Sequence, residues 1–176
     1  MDAGTVTTCA PLDSTSLPTP TGPLSLVVDD AGTLVAAGFC AVADLERRLR
    51  ATTRHRCELG APGRAVASYG IGDLAALDDL AVDQAGTAHQ QAVWKALRDV
   101  PAGQTVSYGE LCARLGLPPG TARAVGSACG ANLIAPVVPC HRVVRGDGSL
   151  GGYAYGLSVK RFLLDHERGR PGPDGS

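Results

Sequence analysis

Residues 136–144, PVVPCHRVV, set a single cysteine between an apolar run and a His-Arg pair. Pro139 fixes the backbone just ahead of Cys140 and supplies no N–H. A cysteine in an apolar strand is usually an inert core residue, and that reading suffices for Cys40, Cys112 and Cys129. Cys140 differs because His141 and Arg142 follow it directly. A thiol attacks carbon as its anion, and its free pKa is about 8.5, so a base is needed at neutral pH. An imidazole can take the proton directly or through a water, and a carboxylate can orient that imidazole. Neighbouring residues on an extended strand point to opposite faces, so His141 can serve Cys140 only if the chain turns here.

Downstream, Gly146-Asp-Gly148 is a turn, and residues 151–156, GGYAYG, form a loop with two tyrosines. The stretch SVKRFLLDHE predicts a helix capped by Ser158, with Val159, Phe162 and Leu163 on its apolar face. Glu167 lies four residues beyond Leu163 and shares that inward side. A carboxylate facing a core wants a partner, and His141 is the candidate. The bland alternative is a surface Glu near a helix end.

Upstream, Thr87 caps HQQAVWKALRDV, whose Val93, Leu97 and Val100 lie on one face. Pro101-Ala-Gly103 stops it. Ser107 caps a second helix, YGELCARLG. After the turn Pro118-Pro-Gly120, Thr121 caps a third, ARAVGSACGA. Short helices joined by a tight turn are a helix-turn-helix candidate. The third helix is built of small residues, including Ala122, Ala124, Gly126, Ser127 and Ala128, with Arg123 as its only charge. Such a face suits a neighbouring helix, or a DNA groove with Arg123 reaching a phosphate or a base stack.

Toward the N-terminus, residues 1–18 are rich in Thr, Ser, Pro and Asp and predict a disordered tail. Residues 23–28 and 33–39 predict a β-hairpin around the turn at 29–32. Asp44 can cap a helix through Arg50. Residues 51–64 are read as irregular, Ala65–Gly70 as a short helix and Asp78–Asp83 as an extended connection. Hydrophobic content of 44% can supply a core, which must lean on Leu, Val and Ala because aromatics are only 4%.

The net charge of −1 hides an asymmetry: residues 1–86 carry 6 Arg against 11 acidic residues (−5), and residues 87–176 carry 10 Lys or Arg against 6 (+4). A nucleic-acid partner is therefore expected on the second half. The six cysteines form no C-x-x-C pair, and the four histidines do not cluster with them apart from Cys140-His141. Thiols rather than disulfides, and no metal site, are expected. No apolar run reaches membrane-spanning length, and the N-terminus lacks a secretory pattern, so no membrane partner and a cytoplasmic location are expected.

These residues resemble the O6-alkylguanine-DNA alkyltransferase family, also called methylated-DNA–protein-cysteine methyltransferases. Pro139-Cys-His-Arg-Val143 matches the active-site signature, with Asn132 eight residues before the cysteine and Glu167 27 residues after it. Gln90-x-x-Val-Trp94, Ser107-Tyr108-Gly-Glu, Ala122-Arg-Ala-Val-Gly126 and Gly-Tyr153 match in order. Over residues 19–84 the likeness is weaker, with Thr21-Gly-Pro-Leu24 and Tyr69-x-x-Gly72 as landmarks. The resemblance implies an α+β fold: a small ribonuclease H-like α/β domain over 19–84, a mostly helical C-terminal domain with a helix-turn-helix over 85–170, and tails at 1–18 and 171–176.

The resemblance also implies a monomer that extrudes an alkylated base from double-stranded DNA and moves its alkyl group irreversibly onto Cys140, without a cofactor. Lesions would be O6-alkylguanine and O4-alkylthymine. Cys140, His141, Glu167 and Asn132 are the catalytic set. Tyr108, Val143, Tyr153, Ala154 and Tyr155 line the substrate pocket. Arg123, Tyr108, Gly109, Ala122, Ser127 and Arg142 contact DNA. Two departures stand out: Leu133 replaces a proline after Asn132, and Ala154-Tyr155 replaces small residues. Tyr155 is expected to narrow the pocket lip and slow bulky adducts. Three other readings are a non-catalytic lesion sensor of the same fold, a helix-turn-helix regulator, and a turnover cysteine hydrolase using Cys140, His141 and Glu167.

Overall fold

The computed structural model describes residues 10–169, and these form an α+β arrangement of a four-stranded sheet, a two-stranded sheet and six α-helices. Strands β1 (Leu12–Thr19), β2 (Gly22–Val28), β3 (Leu34–Gly38) and β4 (Thr53–His55) form a sheet in the order β3-β2-β1-β4. β1 pairs antiparallel with β2 and parallel with β4. The hairpin expected at 23–39 is present as β2 and β3. The tail expected over 1–18 is not: from Leu12 it is the strand between β2 and β4, while residues 1–9, like the tail at 171–176, lie outside the described residues. Its Ser, Thr and Pro side chains are tolerated because Ser14 and Thr15 are buried, and the Ser14 hydroxyl accepts from Thr53 Oγ1 at 2.7 Å.

Helix α1 (Val42–Leu49) lies between β3 and β4. Asp44 does not occupy its cap position: Ala41 does, and Asp44 reaches back from the third helical residue to accept from Ala41 N at 3.2 Å. Leu45 packs with Val27 and Ala36 on one face of the sheet. The opposite face, with Leu24, Leu26, Val28, Leu34 and Ala37, joins the main core. β2 is thus buried on both faces, which is why residues 24–28 read as an unbroken apolar run with one serine. Helix α2 (Gly60–Gly70) begins well before the expected Ala65, inside the stretch read as irregular, and β4 also falls there.

The first two helices of the second half follow their local signals closely. α3 (Ala88–Arg98) and α4 (Tyr108–Arg114) each start with a capping box. Thr87 and Gln90 bond reciprocally at 3.2 and 2.8 Å, and Ser107 and Glu110 at 3.1 and 2.7 Å. α5 (Ala122–Gly130) packs on α3 and α4, and Trp94 of α3 donates its indole N–H to Ala128 O at 2.8 Å. Thr121 precedes α5 without capping it; its hydroxyl donates to Pro118 O at 2.7 Å. Strands β5 (Val106–Ser107) and β6 (Val143–Val144) pair in parallel, and α6 (Leu157–Glu167) closes the chain. α6 starts after Gly156, two residues earlier than a Ser158 cap allows.

The two halves share one core. Ala37 N donates to Leu133 O at 2.7 Å and Ala135 N to Ala37 O at 3.0 Å, so β3 is pinned to the segment that leads into Cys140. No helix among the described residues is long and apolar enough to cross a membrane.

Candidate active site

The backbone turns where the sequence required it to. Residues Cys140–Arg142 form a single 3-10 turn, entered from Pro139. Three residues per turn separate successive side chains by about 120°. Cys140, His141 and Arg142 therefore face three directions, and all three are buried.

The thiol is held from Asn132, which sits just after α5. Its Nδ2 donates to Cys140 Sγ at 3.2 Å and to Val138 O at 2.8 Å. Its Oδ1 accepts from Ile134 N at 3.0 Å and from Gln84 Nε2 at 3.1 Å. Gln84 also accepts Leu133 N at 2.8 Å, so one isolated glutamine in the connection between the halves fixes the Asn132 turn. Burial pushes the Cys140 thiol up, partly offset by the Asn132 hydrogen bond and the Lys160 charge. At neutral pH the sulfur rests protonated.

His141 and Glu167 are paired as expected, with Nε2 and Oε1 2.8 Å apart and both side chains fully enclosed. Burial pushes the imidazole down despite the Glu167 contact, so it is neutral at pH 7. With Nε2–H on the carboxylate, Nδ1 keeps its lone pair; it is buried and has no hydrogen-bond partner among the described residues. Burial would raise Glu167, but hydrogen bonds from His141 and Arg142 hold it well below the usual carboxylate range.

Arg142, expected to contact DNA, points inward. Nε lies 3.0 Å from Glu167 Oε2, Nη2 lies 2.9 Å from Oε1, and Nη1 donates to Val100 O. The guanidinium offsets the carboxylate charge inside the protein. Gly103, at φ 78, turns its N–H onto Glu167 Oε2 at 3.1 Å, and a Cβ there would lie 3.0 Å from the Glu167 carbonyl.

Above the thiol is a cavity of about 360 Å³ lined by Tyr108, Gly126, Cys129, Gly130, Cys140, Gly152, Tyr153 and Ala154. The volume falls within the range of ligand pockets. The Tyr108 ring fits between two glycines: a Cβ on Gly126 would lie 3.7 Å from it, and one on Gly151 3.3 Å from its hydroxyl. Tyr108, Tyr153 and Ala154, three of the residues expected to line a substrate pocket, line this cavity, and Val143 and Tyr155 do not. Val143 is a core residue of β6. Tyr155 turns away from the cavity onto β3, where its hydroxyl lies 3.2 Å from Arg48 Nη1 and 3.4 Å from Ala37 O. Its ring meets Phe39 and Tyr153 edge-on. The narrowed lip expected from Tyr155 is therefore absent from this geometry.

On the outer face of α5, Arg123 and Ser127 are exposed and Ala122 is half-buried; Gly109 is exposed at the start of α4.

Lys160 is a site residue that the sequence reading missed. It is fully buried, and its ammonium donates to Val143 O at 2.6 Å, Gly152 O at 3.2 Å and Leu150 O. Burial lowers its pKa, and the neighbouring Cys140 and Cys129 sulfurs work against that. The signal was available: Lys160, Leu163 and Glu167 lie three and then four apart, on one helical face. Lys160→Met leaves three carbonyls without this donor. A loss of at least about 2 kcal/mol is expected in urea unfolding. Slower alkylation of the Cys140 thiol is expected too, because the Gly152 wall loosens and the sulfur loses the Lys160 charge that offsets its burial. Wild-type unfolding and thiol reactivity would refute this role.

The family model for 6-O-methylguanine DNA methyltransferase, DNA binding domain, matches residues 88–169. The methylated-DNA–protein-cysteine methyltransferase of Salmonella typhimurium is 45% identical over 157 residues, covering 85% of this chain and 91% of that protein. The O6-methylguanine methyltransferase structure from Mycobacterium tuberculosis superposes with a TM-score of 0.78 at 36% identity, covering 93% of this chain and 96% of that one. The same organism's protein in complex with DNA gives a TM-score of 0.77 at 34% identity, covering 91% and 96%.

Proposed function

Since the chain belongs to the methylated-DNA–protein-cysteine methyltransferase family, we propose that Cys140 is the acceptor through which it reverses O6-alkylguanine damage in duplex DNA. It is a DNA-binding repair protein that transfers alkyl groups from DNA to one of its own cysteines. The observation that carries the residue assignment is the buried chain Asn132–Cys140, His141–Glu167 at the floor of a glycine-walled cavity.

The chemistry follows from two opposed pKa shifts. A buried protonated thiol next to a neutral imidazole is not a standing ion pair. Deprotonation accompanies attack: the S–C bond forms as the C–O6 bond breaks, and the thiol proton passes to His141. The unpartnered Nδ1 is the acceptor, reached through one bridging water. Glu167 fixes the tautomer that exposes Nδ1 and stabilises the imidazolium that forms. Because Arg142 already neutralises Glu167, the carboxylate orients His141 more than it raises its basicity. The leaving electron pair stays on the purine, which takes a proton at N1 and is restored as guanine. The thioether has no route back, so one chain repairs one lesion.

Tyr108, Tyr153 and Ala154 hold the extruded base. Arg123, Ser127, Ala122 and Gly109 form the DNA-facing edge of a helix-turn-helix made by α4 and α5, with Arg123 filling the gap in the stack. The sheet order β3-β2-β1-β4, with β4 parallel to β1, supports the ribonuclease H-like reading of the N-terminal part, and the chain acts as a monomer.

Intact-mass measurement after incubation with a duplex carrying O6-methylguanine tests the reading. One methylene unit of added mass, mapped to Cys140 and absent from Cys140→Ala, is expected. Repeated turnover, or methyl on another residue, overturns it.

A further inference from the structure

Glu167 accepts hydrogen bonds from four residues, and Tyr69 is the one among them that comes from the N-terminal part. The Tyr69 hydroxyl donates to Oε1 at 2.8 Å, the same oxygen that His141 uses. Arg142 spans both oxygens, and Gly103 N holds Oε2. The carboxylate is therefore fixed from three sides, and Tyr69 supplies the side that the 3-10 turn and the 101–104 loop leave open.

Tyr69 is itself held in place. Its carbonyl lies 2.7 Å from His166 Nε2, and its ring meets the His166 ring edge-on at 5.1 Å. His166 in turn stacks on Phe162 at 6.0 Å. The end of α2 is thus clamped to the last turn of α6, which carries Glu167. Burial, followed by the Glu167 charge, drives the phenol far above its usual range, so at neutral pH it is always a donor.

We infer that Tyr69 is a positioning residue for alkyl transfer: it holds the Glu167 carboxylate so that His141 keeps Nε2–H on it and Nδ1 free as the proton acceptor. The inference rests on the reading of Cys140 and His141 above. It gives the Tyr69-x-x-Gly72 landmark a task in the chemistry, and it makes the N-terminal part a component of the active site. Each oxygen of a carboxylate has a limited capacity as acceptor. A phenol on Oε1 therefore weakens what that oxygen gives to imidazolium. The other groups acting here are Arg142 and Lys160, which oppose protonation of His141, together with Cys140 and Tyr153 nearby.

The test is Tyr69→Phe in the full chain, which keeps the ring and removes only the hydroxyl. Methyl transfer from duplex DNA is measured as a function of pH. A fall of about 3–10-fold at neutral pH is expected from one lost hydrogen bond. The acid limb should move upward, because the carboxylate freed of one donor binds imidazolium more strongly. Affinity for the duplex should be unchanged. In a Glu167→Gln background the same substitution should cost less than about twofold, since both act through one group. A merely structural tyrosine gives no shift of the limb, and its loss multiplies in full with that of Glu167→Gln. Either result overturns the inference while wild-type protein still takes up methyl. A wild-type chain that takes up none overturns the reading beneath it.

Discussion

Glu167→Ala is expected to be among the most damaging single substitutions in this protein, to both stability and chemistry. The carboxylate is fully enclosed and accepts from Tyr69, His141, Arg142 and Gly103. Removing it leaves the Arg142 guanidinium buried without a counter-charge, and three further donors without an acceptor. Breaking such a pair costs about 3–5 kcal/mol. At about 2–4 °C per kcal/mol for a chain of this size, the melting temperature falls by about 6–20 °C. Transfer falls by about 10²–10⁴-fold, the usual range for a lost general base, because His141 loses the contact that fixes its tautomer. The two losses separate in a double variant, Arg142→Met with Glu167→Leu. Replacing both charges by apolar groups removes the unpaired guanidinium, so part of the melting temperature returns while transfer does not. Tyr69, His141 and Gly103 still lack their acceptor.

The sign of the pH dependence follows from the depressed carboxyl. Folded, Glu167 stays ionised far into the acid range, whereas in the unfolded chain it titrates at about 4.3. Its contribution to stability is therefore complete above about pH 5. It declines as the pH falls below the unfolded value and toward the folded one. The stability gap between wild type and Glu167→Gln should shrink on acidification. A gap that stays constant, or a Glu167→Ala protein that melts with wild type, removes the buried pair from this account.

What could be read before the structure was local. The caps of α3 and α4 rest on residues three apart, and Glu167 announced itself by helical spacing from Leu163. The turn at Cys140 was legible as a requirement, because two neighbours on a strand cannot share a face. Apart from the caps expected at Asp44, Thr121 and Ser158, none of which caps its helix, what failed was non-local. β1 has the composition of a loop and becomes a strand because β2 and β4 flank it, as strand preference depends on context. α2 opens with Gly60-Ala-Pro-Gly63, a poor helix start, and is held by the burial of Pro62, Val66 and Tyr69. Arg142 was placed among the DNA contacts by the family resemblance alone. The 3-10 turn rotates it inward instead. Gln84 has no neighbours in sequence that hint at Asn132.

The same kind of non-local pairing reverses the expectation about adduct size. Wild-type protein should react with O6-benzylguanine, since Tyr155 lies outside the cavity and the wall is left to Gly152, Tyr153 and Ala154. What keeps Tyr155 there is the missing side chain of Gly38. A Cβ at that position would lie 2.2 Å from the Tyr155 hydroxyl and 2.6 Å from Cζ, well inside contact distance. Gly38→Ala must therefore expel the phenol from β3 and strip it of Arg48 and the Ala37 carbonyl. The displaced ring sits next to Ala154 on the pocket loop, and Tyr153 loses its edge-on neighbour. Reaction with O6-benzylguanine should drop by about tenfold or more, equivalent to about 1.4 kcal/mol of transition-state stabilisation. Methyl transfer from duplex DNA, which places a far smaller group at the sulfur, should change by less than about threefold. Adding Tyr155→Gly to Gly38→Ala should restore the benzyl reaction, because the ring that obstructs is then gone. If Gly38→Ala treats both substrates as wild type does, or if the double variant stays slow with benzyl, the contact between β3 and the pocket loop has no part in selecting the adduct.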